Sequence, residues 1–224
     1  MSTEPHARTI VDRWRGTAAF FRAFLAAPDV VGAALPSSRS LALALLAPMR
    51  ARTAPVAILE IGAGTGAVTR HLVQELGPHD RLSICEIRPD LMAHIERNIL
   101  GSPSAIRARA DRRITLFNCP AQELPTDQPY DYIVSGLPFT AFSPVVVREI
   151  LDHVAGLLRP GGVFSYFEYI ALRRLRAWTS IGQSRKRVNE LSAILDAAID
   201  RHQFHRATVL ANFPPAFARH LRFR

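Results

Sequence analysis

Residues 56–67 read VAILEIGAGTGA, and the fold follows from how that stretch is read. VAILEI (56–61) is a short run, apolar but for Glu60, of the kind that a parallel strand buried on both faces requires. The glycines at 62, 64 and 66 let the chain turn sharply and leave its backbone open to a ligand at the start of the next helix. Working outward, further strand-like runs are RLSICE (81–86), RITLF (113–117), YDYIVS (130–135) and GVFSYFEYI (162–170). Helical patterns fall between them at about 66–77, 89–99 and 144–158, the last stopped by RPGG (159–162). A helix near 188–201 and two strands around 205–211 and 217–223, joined by NFPP, complete the chain. This alternation predicts an α/β fold: a Rossmann-like, mostly parallel sheet with helices on both faces and an antiparallel closing hairpin.

Composition bounds the function. At 224 residues with 48% hydrophobic residues, the chain suits one α/β domain with a modest extension. No stretch reaches the roughly 20 uninterrupted apolar residues that span a bilayer, and MSTEPHART lacks the features of a signal peptide. A cytoplasmic enzyme is the expectation. The formal charge is +9, carried almost wholly by Arg, with Lys186 the one lysine. That balance favours anionic partners, nucleic acid or membrane, although compositional bias also favours Arg over Lys. Cys85 and Cys119 make no disulfide framework, the His residues are scattered, and no metal site is expected.

The N-terminal 50 residues read differently. Residues 8–26 place Ile10, Val11, Trp14, Ala18, Phe21, Phe24 and Leu25 at helical spacing, with Arg8, Asp12, Arg13, Arg15 and Arg22 mainly opposite. Ser37 or Ser38 is positioned to cap a second helix running to about Ala47. The expected division is therefore 1–50, amphipathic helices that bind membrane or close over the site, and 51–224, the catalytic domain.

The glycine loop alone is ambiguous, because Gly62, Gly64 and Ala67 also satisfy a dinucleotide-binding pattern. Two acids narrow it. Glu60 can receive an ammonium group, and Glu86, ending the second strand, stands where an acid accepts hydrogen bonds from a ribose diol. A ligand with an amino-acid end and a nucleoside end needs both, which points to S-adenosyl-L-methionine. The set ExGxGxG, the acid at Glu86 and Ala121-Gln122-Glu123 after the third strand resembles class I methyltransferases. The resemblance implies that these places hold methionine, ribose and adenine. The candidate cofactor residues are Glu60, Gly62, Ala63, Gly64, Gly66, Glu86, Ile87, Ala121, Gln122 and Ser135.

SGLPF (135–139) resembles the motif ending the fourth strand in amino-group methyltransferases, including the N-L-P-[YF] of ribosomal RNA adenine dimethylases. Aligned on Leu-Pro-Phe, the usual Asn is Gly136. With VGAALPSS (31–38) and LLRPGGVFSYFEY, the chain resembles bacterial phospholipid N-methyltransferases of the soluble type related to those RNA enzymes. The resemblance implies conversion of phosphatidylethanolamine toward phosphatidylcholine through mono- and dimethyl forms, peripheral to the inner face of the cytoplasmic membrane. Gly136, Leu137 and Phe139 are then the candidate amine grip, and Tyr166 the favoured aromatic partner on the fifth strand. Tyr166, Glu168, Tyr169 and water all remain candidates for proton acceptor. The basic segment 173–187 and the N-terminal helix are the expected contacts with anionic head groups. Charge alone does not separate lipid from an RNA backbone, so an rRNA adenine N6-methyltransferase is the alternative. The missing Asn at 136 argues against it.

Overall fold

In the computed structural model, which describes residues 38–170 and 182–223, β1 (Ala57–Ile61) is buried at all five positions. It lies at the centre of the sheet, as its unbroken apolar character demands. Among the described residues seven strands form one sheet in the order β3-β2-β1-β4-β5-β7-β6. These are β2 (Arg81–Cys85), β3 (Ile114–Phe117), β4 (Tyr130–Ser135), β5 (Leu158–Tyr169), β6 (Gln203–Val209) and β7 (Ala216–Arg222). β1 to β5 pair in parallel, and β7 is antiparallel to both β5 and β6. The expected closing hairpin is therefore present. The sheet order reverses between β1 and β4, which opens a crevice beyond their carboxyl ends.

The helices are α1 (Arg39–Leu45), α2 (Ala47–Arg50), α3 (Thr69–Glu75), α4 (Pro89–Asn98), α5 (Pro103–Ala110), α6 (Pro144–Leu157) and α7 (Gln183–His202). Three of them begin at a serine whose hydroxyl accepts a backbone N–H of the first turn: Ser38 from Leu41, Ser102 from Ala105, and Ser143 from Val146. α5 and α6 also carry proline at the first helical position, where no N–H is needed. α6 buries Val147, Ile150, Leu151, Val154 and Leu157, a single stripe at helical spacing. α1 buries Leu41, Ala42 and Leu45 and packs on β5, β6 and β7.

Three details differ from the sequence expectation. RPGG is not a free helix stop: α6 passes directly into β5, and Arg159 to Gly162 form an irregular entry to that strand. Gly161 has φ +79°, and a Cβ on Gly162 would crowd the Arg159 carbonyl at 2.9 Å, so only glycines fit this bend. α5 is absent from the sequence expectation, because its small and basic residues bury only Ala105 and Ala108 and give little apolar periodicity. α7 begins about five residues before the expected helix. The sequence-assigned amphipathic helix 8–26, the segment 31–37, and Arg173, Arg174, Arg176 and Trp178 lie outside the described residues.

The end of the sheet opposite the crevice is fastened by buried Asp80. Its carboxylate accepts from Arg52 Nη2 at 2.8 Å, Gly77 N–H at 2.8 Å and Val56 N–H at 3.0 Å, tying the approaches to β1 and β2 together. Asp131 similarly joins Ala57 N–H, at 2.7 Å, to Arg159, at 2.9 Å. Asp80→Ala would leave two backbone donors without their acceptor and the Arg52 guanidinium without its carboxylate, held only by the Met49 and Glu75 carbonyls. A loss of about 3–5 kcal/mol is expected, measurable by urea unfolding, with cofactor affinity of the folded fraction unchanged because the clamp is at the far end of the strands.

Candidate functional site

The crevice is built by loops at the carboxyl ends of β1, β2 and β4. Gly62, Gly64 and Gly66 all have positive φ (70°, 58° and 80°), conformations that L side chains rarely adopt. Their surroundings differ. A Cβ on Gly62 would collide with the Leu137 side chain, and one on Gly66 with Ile99, so these two are closed off by packing. Among the described residues, nothing beyond its own chain neighbours lies within 4 Å of where a Gly64 Cβ would stand, so on that side the backbone is open. This is the geometry a ligand needs to reach main-chain atoms.

Both acids stand at the crevice. Glu60 is 1% exposed and accepts a hydrogen bond from Thr69 Oγ1 at 2.7 Å. Burial pushes its carboxyl up to about 7; the Thr69 hydroxyl opposes that rise and the Glu86 charge adds to it. Glu86, also buried, accepts from Gly64 N–H at 2.8 Å and Arg88 N–H at 2.9 Å. Burial raises its pKa too, and those two backbone donors hold it down. One carboxylate therefore ties the glycine loop to the end of β2. Ile87 is half-buried beside it, Ala63 is buried within the loop, and Ala121 and Gln122 lie half-buried in a short 3₁₀ turn, Ala121–Glu123.

Two further residues join the site that sequence reasoning did not single out. Thr69, on α3, is fully buried and is the hydroxyl that holds Glu60. Its signal was a polar residue nine positions after the acid, among the apolar positions of the following helix. Asn118 donates through Nδ2 to the Glu86 carbonyl at 2.7 Å and fixes the acid-bearing turn against the end of β3. A lone Asn after a strand carries no comparable signal.

The SGLPF stretch packs directly on this loop. Gly136 N–H donates to the Ile61 carbonyl at 2.8 Å, and a Cβ at 136 would collide with the Gly62 carbonyl oxygen. Ser135 is buried, and its hydroxyl accepts the Leu137 N–H at 3.2 Å, bracing the turn. Leu137 covers Gly62, and Phe139 opens a 3₁₀ turn (Phe139–Ala141) that runs toward α6.

Phe139 and Tyr166 do come together, as a buried cluster and not an open aromatic cage. They are 2% and 1% exposed; Phe139 sets its edge against Tyr166 at 5.4 Å, and Tyr166 stacks on Phe164 at 5.6 Å. A cavity of about 10 Å³, enough for a single water molecule, lies among Pro138, Phe139, Tyr166, Glu168, Tyr169 and Leu195. Glu168, a candidate proton acceptor from its position alone, is instead held by Arg219, whose Nε donates to it at 2.7 Å in a buried pair. Arg219 sits opposite Tyr166 across the β5–β7 ladder, a partner no sequence spacing announces.

Residues 58–162 match the family model described as a methyltransferase domain. Among curated proteins, the chain is 28% identical over 109 residues to the ornithine lipid N-methyltransferase of Singulisphaera acidiphila, covering 48% of this chain and 55% of that protein. It is 37% identical over 97 residues to a ribosomal RNA small subunit methyltransferase A from Burkholderia sp, covering 43% of this chain and 33% of that one. The matched stretches thus span about half and a third of those relatives. Among solved structures, the O-methyltransferase TomG from Streptomyces achromogenes, in complex with SAM, superposes with a TM-score of 0.56 at 17% identity over 100% of this chain and 92% of that one, a likeness of fold. Just under half of the chain, residues 58–162, thus resembles a methyltransferase domain; the sheet order and the glycine loop give the Rossmann-like fold of methyltransferases, and the cofactor is S-adenosylmethionine.

Proposed function

We propose that the protein N-methylates phosphatidylethanolamine, through mono- and dimethyl forms, toward phosphatidylcholine at a membrane surface. The observation that carries this reading is the absence of room at Gly136. RNA adenine dimethylases place an Asn at the corresponding position of the motif; here a side chain would displace the glycine loop itself. In this reading the amine is gripped chiefly by the Gly136 carbonyl, since those of Leu137 and Pro138 already accept the Phe139 and Ala141 N–H groups at 3.0 and 2.8 Å, and such a grip suits a small tetrahedral nitrogen better than the edge of a planar base. The similarity to a lipid N-methyltransferase supports the same reading.

In this account Glu60, when ionised, receives the cofactor's ammonium group, with Thr69 holding its carboxylate in place. Glu86 accepts from the ribose while keeping Gly64 in register. Ala121 and Gln122 border the adenine, and Ile87 covers it. Bound there, S-adenosylmethionine supplies an electrophilic methyl group. The protein's task is then to hold the nitrogen in line and to keep bulk water out, which the sealed cluster of Phe139, Phe164 and Tyr166 serves. Arg219 engages Glu168, and burial raises the Tyr169 hydroxyl above its usual range. Of the candidates, that leaves Tyr166 and water to accept the proton that a primary ammonium must shed.

A second reading, methylation of an adenine amine in ribosomal RNA, is kept because of the 37% identity to an RNA methyltransferase. Radiolabelled methyl transfer decides between them, offering vesicles of phosphatidylethanolamine, vesicles containing ornithine lipid, and protein-free small-subunit RNA. Label extracted with phosphatidylethanolamine is the expected result. Label with ornithine lipid alone would move the substrate to another lipid amine, and label in RNA would replace this reading with the second.

Two variants probe the site. Gly136→Asn should not create RNA activity; it should weaken cofactor binding at least tenfold by pushing Gly62 aside, with a stability loss of about 1–3 kcal/mol, read by calorimetry. Glu60 should make cofactor affinity pH-dependent. Its folded pKa is raised from 4.5 to about 7, so its contribution to the stability of the cofactor-free protein is complete below about 4.5 and is lost as pH rises through about 7. Cofactor affinity should run the other way, rising from pH 6 to a plateau above 7, and Glu60→Gln should flatten both profiles.

A further inference from the structure

Leu210 and Phe213 are the most exposed large apolar side chains among the described residues, at 73% and 79%. They stand on the turn between β6 and β7, in ATVLANFPPAFA (207–218), twelve residues without a charge in a chain of net charge +9. The turn is braced from within. Asn212 is buried, donates through Nδ2 to the Pro214 carbonyl at 2.7 Å and accepts the Ser38 N–H at 2.9 Å. The Pro215 carbonyl accepts the Ile170 N–H at 3.0 Å. The two apolar side chains are therefore presented outward by a turn that is itself hydrogen-bonded.

Register fixes which end of the sheet carries the turn. β1 and β4 end level with Tyr166, through the pairs Ile61 with Ser135 and Ser135 with Tyr166. β5 continues to Tyr169, which pairs with Ala216, and Ala216 pairs with Val209. The turn thus rises three residues, about 10 Å at strand spacing, beyond the level at which the glycine loop and SGLPF begin. It stands at the same end of the sheet as the crevice. α7 runs into β6 at the opposite end, so its N-terminal residues, including exposed Arg185, Lys186 and Arg187, also belong to the crevice end. The chain enters the described fold here too, at Ser38.

We infer that the β6–β7 turn is a membrane wedge: Leu210 and Phe213 enter the interface of an anionic phospholipid bilayer, with the cations at the start of α7 facing its head groups, so that the crevice opens toward the lipid. The inference deepens the lipid reading above by naming the surface through which the enzyme would meet its substrate. A bilayer is the occupant that fits. Two side chains on a projecting turn offer far less than the roughly 800 Å² per partner of a stable protein interface. Interfacial insertion, by contrast, gains with each buried apolar side chain and with nearby cations.

The test uses the full chain and vesicles of phosphatidylglycerol and brominated phosphatidylcholine, without phosphatidylethanolamine, so that binding does not depend on the substrate assignment. Phe213→Trp should add a fluorescence component, above that of Trp14 and Trp178, that shifts to the blue and is quenched by the brominated acyl chains. Leu210→Glu should lower vesicle affinity about tenfold, the scale of one buried leucine, with melting temperature and cofactor affinity unchanged. If the component added by Phe213→Trp stays unquenched, or Leu210→Glu leaves vesicle affinity unchanged, the wedge is overturned. So it is by light scattering showing that Leu210→Glu abolishes a dimer, which would assign the turn to a second copy. If the wedge inserts but methyl label enters RNA, the lipid substrate falls and the wedge stands; if label enters lipid with no insertion, the reverse holds.

Discussion

Gly136 presses its backbone against the carbonyl of Gly62 with no side chain between them, and the organisation of the site depends on that contact. It can form only because β1 and β4 are neighbours in parallel register, ending together at Ile61 and Ser135. The loop proposed to hold the cofactor and the loop proposed to hold the substrate nitrogen are thereby one packed unit. Any side chain at 136 moves both. A methyl transfer needs its two partners closely in line, and a main-chain contact is stiffer than one made by rotatable side chains.

Around that contact the charged groups are arranged so that each is held without being neutralised. Among the described residues Glu60 is held by a hydroxyl, and Glu86 by two backbone N–H groups. Burial accordingly raises both carboxyls. A buried acid without a cation costs stability in the empty protein, and an incoming ammonium or diol relieves that cost. The same acid ion-paired internally would gain little from a ligand. Glu168 illustrates the contrast: with Arg219 against it, it serves the β5–β7 junction.

Much of this was legible in the chain. The buried strand VAILEI, the three glycines and the two acids at the strand ends have local causes: buried parallel strands favour apolar residues, positive φ selects glycine, and residues at the carboxyl end of a parallel strand stand by the crevice. The strand and helix pattern made the fold class legible, and the acids with the resemblance to class I methyltransferases made the cofactor legible. The closing hairpin was legible for the same reason, since NFPP interrupts two alternating runs. α5 was not, because a helix with two buried alanines has almost no apolar period. Nor was the entry to β5, where a proline and two glycines read as a stop but form an irregular strand start.

What the sequence by itself determined, then, is the set of residues whose conformation or burial is dictated within a few positions of chain. Tertiary structure alone decided which of them meet. The Gly62–Gly136 contact joins residues 74 positions apart, Thr69 reaches Glu60 only through the return of α3 over β1, and Arg219 reaches Glu168 only through an antiparallel pairing made 51 residues later. The exposed pair Leu210 and Phe213 stands at the crevice end because β5 outruns β4 by three residues. Such meetings are set by strand order and register, and these follow from the packing of the whole sheet, which no local pattern encodes.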